Sequence, residues 1–131
     1  MNQNEILKSY IKSNVAPILI NFLNGKDIPN SILLPSNVNI SELNCHYESD
    51  EFLPPNWLIQ IANSSKQAIL VIDKIDEISK KEQLKFVELL KYRQISTFKL
   101  PESTIIIVTA KKINKNTINE EIYSLVAHIE R

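Results

Sequence analysis

Few residues in this chain have side chains that could do chemistry, and they are scattered. Lys26, Lys74, Lys111, Lys112 and Lys115 lie in segments that flank apolar runs. Gathered at the carboxyl edge of a sheet, where α/β proteins bind ligands, they would hold a phosphate or a nucleic-acid backbone. As solvated loop residues they would hold nothing. Asp73 closes the apolar run Ala68–Ile72 and reads, by residue type alone, as a polar strand end. Cys45 and His46 are adjacent, but neighbours on a strand point to opposite faces, so they make a nucleophile pair only on paper. Trp57 fits either a base-stacking platform or a core anchor, and His128, inside an apolar strand, reads as a core or edge histidine.

Composition narrows the chemistry further. Cys45 is the only cysteine, which excludes an intramolecular disulfide and any cysteine-based zinc site. His46 and His128 lie in different segments, without metal-ligand spacing. Gly25 is the only glycine, whereas glycine averages about 7% of residues. That excludes every glycine-rich ligand loop and leaves little provision for turns with positive φ. Fifteen Lys and Arg balance 15 Asp and Glu, so no global field draws the chain to nucleic acid or an anionic membrane. With 44% apolar and 23% charged residues, the 131-residue chain suits one globular domain. No apolar run approaches the roughly 18 residues of a membrane span. Met1–Glu5 is not a signal peptide, so a cytoplasmic location is the default expectation.

Elements must position these residues. Helix starts are expected at Asn2 with Glu5, at Pro55 in a first helical position, at Ser79 with Glu82, and at Thr117 with Glu120. Ala68–Ile72 and Thr104–Thr109 are continuous β-branched runs, the pattern of strands buried on both faces of a parallel sheet. One long helix between them makes residues 68–110 a βαβ unit. A further strand is expected at Val126–Glu130. Residues 14–50 read two ways. Ala16–Ile20 is either a strand or the start of a helix that Gly25 closes, and a helix over about 15–24 is favoured. Ser31–Leu34 and Val38–Leu43 are candidate strands, but the gap at 35–37 is too short for a parallel crossover, so an irregular or hairpin-like β region is expected there.

Taken in order, these segments resemble an AAA+ ATPase core. Ala68-Ile-Leu-Val-Ile-Asp73, continuing Lys-Ile-Asp-Glu-Ile78, resembles the Walker B strand. Ser79–Leu90 resembles the helix after it, and Ile105–Ala110 resembles the sensor-1 strand. Leu53–Leu58, Tyr92–Ile95 and Leu100-Pro101 resemble stretches of MoxR-type members, and Leu125–Ile129 resembles the last core strand. The resemblance runs from about residue 53 to 130, with residues 1–52 as a divergent N-terminal part of the same domain. It implies a three-layer α/β fold with a mostly parallel sheet of four or five strands.

The departures from that family bear on function. Its phosphate loop needs G-x-x-x-x-G-K-[ST], with glycines where no Cβ fits. Asn24-Gly25-Lys26-Asp27 is at most a remnant, with an acid where the Mg²⁺-binding hydroxyl belongs. In a second register, similar to clamp-loader relatives, Ile28–Leu34 is the first strand and the loop is absent altogether. Asp73 matches the Mg²⁺-organising aspartate, but Lys74 follows it where the water-polarising glutamate belongs. Shifting the register to make Asp76-Glu77 the acidic pair carries the acids beyond the strand. Lys111 stands near the place of the water-positioning asparagine, and the chain lacks a helical lid after the last strand.

The resemblance therefore implies a chain without cofactor, metal or catalysis, in which Gly25, Lys26, Asp73, Lys74 and Lys111 mark a vestigial nucleotide site. The expected role is docking on a protein partner such as an active AAA+ ATPase or a DNA-replication factor. The alternatives are a hydrolase subunit whose site a partner completes and a nucleic-acid module using the lysines. Arg93 reads as an inter-subunit contact, since MoxR-type relatives form rings, or as an arginine suited to a helix C-terminus.

Overall fold

The computed structural model describes residues 16–64 and 67–130; the helix start at Asn2 lies outside them. Strands β1 (Ile18–Ile20), β2 (Ser31–Pro35), β5 (Ile69–Asp73), β8 (Ile105–Thr109) and β9 (Ala127–Ile129) form one sheet in the order β2-β5-β8-β1-β9. Every pairing within it is parallel. The fold is α/β, as expected, with a five-stranded sheet. Two short antiparallel hairpins stand beside it, β3 (His46–Glu48) with β4 (Glu51–Leu53) and β6 (Gln94–Ile95) with β7 (Phe98–Lys99).

Handedness explains the layering. From β2 to β5 to β8 to β9 the chain always steps the same way along the sheet, so right-handed crossovers fall on one face. That face carries Leu19, Leu34, Leu70, Ile72, Ile106 and Val108. Helices α1 (Ile40–Leu43), α2 (Asn56–Ala62), α4 (Val87–Tyr92) and α5 (Glu120–Leu125) pack Leu43, Trp57, Leu89 and Ile122 into it. The step from β1 to β2 runs the other way and must cross on the opposite face. There, residues 21–30 make the crossing with one 3-10 turn, Gly25–Asp27, in place of a helix. Ile28 from this segment packs against Ile18, Ile20, Val71 and Ile107.

Several expectations are corrected. Residues 16–24, the described part of the helix favoured at about 15–24, are not helical: Ile18, Leu19 and Ile20 are all buried, as a strand between β8 and β9 requires. Pro17, which has no N–H to lose, accepts from the Ala127 N–H at the start of that strand. Ile28–Leu34 is not the first strand, because Ser31–Pro35 forms the second, at the sheet edge. Val38–Leu43 is not a strand, and Ile40–Leu43 is a single helical turn; the hairpin lies at 46–53 instead.

The helix after β5 is also not continuous. It runs as α3 (Lys80–Gln83), a 3-10 turn at Leu84–Phe86, then α4. Ser79 caps it as expected, accepting from the Glu82 N–H at 3.1 Å. The fully buried Gln83 anchors the bend: its amide donates to Ile75 O and Thr117 O and accepts from the Asn119 N–H. Pro55 is the N-cap of α2 rather than its first residue. Asn119, not Thr117, caps α5, because the Thr117 hydroxyl is committed to Lys112 O.

Turns with positive φ are also not avoided. Asn30, Ser49, Asp50, Lys74, Arg93 and Ser96 all adopt them without glycine. Ser49 and Asp50 are the two-residue turn of the β3–β4 hairpin, with φ of 51° and 67°. A primed turn prefers glycine at its second position. Asp50→Gly is therefore expected to raise stability by about 1 kcal/mol, seen as a higher urea midpoint at unchanged slope.

Candidate functional site: a strand-end aspartate closed by its own loop

Parallel pairing brings the carboxyl ends of β5, β8 and β1 side by side, so Asp73, Thr109 and Ile20 share one edge. The Thr109 hydroxyl donates to Asp73 Oδ1 at 2.6 Å and accepts from the Lys74 N–H at 2.9 Å. The loop after β1 reaches the same oxygen, where the Gly25 N–H donates at 2.8 Å. A Cβ on Gly25 would lie 2.7 Å from Asp73 Oδ1 and 2.5 Å from Leu33 Cδ1. The lone glycine is thus needed for close approach and not for an unusual φ.

A phosphate cradle needs several loop N–H groups converging on one external point. In this loop they turn inward. Gly25 N–H goes to Asp73, Asp27 N–H to Asn24 O and Ile28 N–H to Gly25 O. Lys74 sits in the left-handed region at φ 59°, ψ 50°, and its carbonyl accepts from the Ser36 hydroxyl at 2.8 Å. Its N–H and C=O both have partners, so the backbone at this edge is held from two sides.

Of the five positions singled out in the sequence, Gly25 and Asp73 are in direct contact. Lys74 and Lys111 line one cleft of about 250 Å³ together with Asn21, Asn24 and Asp27. The cleft lies where the connections from β1 and β8 depart to opposite faces, the switch point at which open α/β sheets take ligands. Lys26 is exposed and does not line the cleft, and neither do Lys112 and Lys115. The lysine cluster is therefore only partly assembled. Asp76 does not pair with Glu77 as an acidic dyad; its carboxylate caps the backbone N–H groups of Lys111 and Lys112 at 3.2 and 3.1 Å.

The remaining candidates resolve simply. Trp57 is buried, with Nε1 donating to Leu43 O at 3.0 Å. His128 lies on edge strand β9, stacked edge-on against Tyr123. The Arg93 guanidinium turns inward to Thr104 O at 2.6 Å, tying the end of α4 to the approach of β8. Cys45 is half-buried with Sγ against Ile95 O, while His46 is exposed and lies near Glu48. Burial pushes the Cys45 thiol up from its ordinary value. Among the described residues no His, Cys, Asp and Glu group is placed to hold a metal ion.

Thr109, Ser36 and Gln83 were invisible as site residues. Each is an ordinary residue in a strand, loop or helix until the sheet brings its partner near. The one available signal was Thr109 itself, a hydroxyl ending an otherwise apolar run beside another polar strand end.

Fold and site together define an α/β parallel-sheet domain whose strand-end carboxylate has protein partners. Compared with known proteins, the chain matches no protein-family model and no curated sequence.

Removing the carboxylate should affect folding. Asp73→Ala strands the Gly25 N–H and is expected to cost about 1–3 kcal/mol. Gly25→Ala overpacks the same contact and should cost a similar 1–3 kcal/mol or so. Urea unfolding of both variants checks this. Cys45, with its raised thiol, should alkylate with iodoacetamide more slowly at neutral pH in the folded protein than in urea, and speed up as pH rises.

Proposed function

We propose that this chain is a catalytically inactive, AAA+-like interaction protein of the cytoplasm, docking on a protein partner such as an active AAA+ ATPase or a DNA-replication factor. One observation carries the reading. The aspartate corresponding to the Mg²⁺-organising residue is bonded to the backbone of the loop corresponding to the phosphate cradle. The bond occupies the Gly25 N–H and one oxygen of the carboxylate, groups that a nucleotide and its metal would otherwise use. A metal ion at Asp73 Oδ1 would compete with the Gly25 N–H and the Thr109 hydroxyl.

Three further features support it. The strand resembling Walker B and the strand resembling sensor 1 are neighbours, with β1 beside the latter, which sets the loop against Asp73. Lys74 and Lys111 put ammonium groups where a catalytic base and a water-positioning amide belong, and an ammonium ion cannot take a proton from water. Among the described residues, moreover, no helix is long and apolar enough to cross a membrane.

Isothermal titration with ATP and Mg²⁺, paired with a phosphate-release assay, tests the proposal. The expected result is no saturable binding in the micromolar range and no turnover. Micromolar binding, or turnover that appears when a partner protein is added, would replace this reading with that of an ATPase subunit.

A further inference from the structure

Among the described residues, the edge of the sheet at β2 is open. β2 pairs with β5 on one side only, and the Ser36 N–H to Asp73 O bond sets the phase of that ladder. In a parallel ladder alternate residues direct both backbone groups the same way. Ile32, Leu34 and Ser36 therefore face β5, and Ser31, Leu33 and Pro35 face outward. Among the described residues no strand pairs with the Leu33 N–H and C=O at the centre of the edge, and Leu33 is 44% exposed. Unpaired edge backbone of this kind is a template for another strand.

A groove runs along that edge. It encloses about 630 Å³ between Leu33, Leu34 and Pro35 on one side and Val38, Glu42 and Trp57 on the other, with His46 at its rim. Its lining is mostly apolar, with Glu42 as its acidic residue. His46 Nε2 lies 3.8 Å from the Glu48 carboxylate, which brings Glu48 next to a residue of the lining.

Charge indicates what fits. The whole stretch from residue 27 to 65 contains Asp27, Glu42, Glu48, Asp50 and Glu51 and not one lysine or arginine. Of these, Glu42 lines the groove and Glu48 lies beside His46; no lysine or arginine lines it, and the one ammonium that reaches its lining, Lys85 Nζ, is bonded to Val38 O at 2.8 Å. Glu48 and Glu51 even face each other across the β3–β4 hairpin, an arrangement that costs stability when no cation lies between them.

We propose that this groove binds an extended, cationic segment of a partner protein, added as a sixth strand beside β2. Main-chain bonds to Leu33 would supply register, alternate side chains would enter the mostly apolar lining, and arginine or lysine would meet Glu42 and Glu48. The inference rests on the reading of the chain as a docking module and names the surface it would use.

The probe is a synthetic peptide alternating arginine with valine, set against one alternating glutamate with valine and against the arginine peptide N-methylated at alternate residues. Trp57, the only tryptophan, lines the groove and reports binding by fluorescence, and amide exchange reports Leu33 directly. The arginine peptide is expected to shift Trp57 emission and slow exchange at the Leu33 N–H. The glutamate and N-methylated peptides should do neither. Glu42→Gln with Glu48→Gln, both exposed and safe for folding, should weaken binding about fivefold and flatten its salt dependence.

Unchanged Leu33 exchange, equal binding of the N-methylated peptide, or indifference to the double glutamine variant would each overturn the proposal. So would sedimentation showing a dimer that already protects Leu33 without peptide, which would assign the edge to a second copy. None of these outcomes alters the nucleotide titration, so the two readings fail separately.

Discussion

The contact on which the rest of the molecule depends is the one between the Asp73 carboxylate and the Gly25 N–H, shared with the Thr109 hydroxyl. It joins the end of β5 to the loop after β1 across the intervening β8. The crossing segment can then turn back immediately and reach β2 within residues 21–30. Parallel strands ordinarily need a crossover of a dozen or more residues containing a helix. A charge-assisted bond at the turning point is what holds a shorter, nearly helix-free path in place. It also explains why the one glycine of the chain stands there, since any side chain would collide with both Asp73 and Leu33.

Energetically the shortened crossing still covers its face of the sheet. Ile28 buries nearly all of its surface against Ile18, Ile20, Val71 and Ile107, worth about 1.5–3 kcal/mol for one such side chain. The strain is placed elsewhere. Among the described residues, six other than glycine have positive φ, each at a cost of up to roughly 1–2 kcal/mol. Lys74 is the clearest case: three backbone partners (Thr109, Ser36 and the Glu77 N–H) overdetermine its conformation. The same bonds that close the site also stabilise its least comfortable residue.

Function and fold meet at the carboxyl edge. The switch point between β1 and β8 is where an open α/β sheet offers a ligand its natural crevice. Here the crevice is lined by two lysines and an aspartate, and the carboxylate behind it is already engaged. Along β2, at the edge of the sheet, the outward backbone groups have no counterpart within the described residues.

How much was readable in advance follows from the range of each interaction. β5 and β8 were legible because burial on both faces leaves an unbroken apolar run that only a central parallel strand tolerates. Ser79 was legible as a cap because its partner is three residues away. β1 was misread because Ile18–Ile20 is too short for periodicity to separate strand from helix, and only its neighbours β8 and β9 decide. The cap at Asn119 was missed because Thr117 is drawn off to Lys112 O.

The site divides in the same way. From sequence alone, one glycine excluded the loop G-x-x-x-x-G-K-[ST] and Asp73 marked a strand end, since composition and local pattern depend on nothing distant. That Gly25, Thr109 and Asp73 share one oxygen was decided only by the tertiary structure. Their separations of 48 and 36 residues leave no trace in local pattern, and parallel pairing alone brings those strand ends within hydrogen-bond reach.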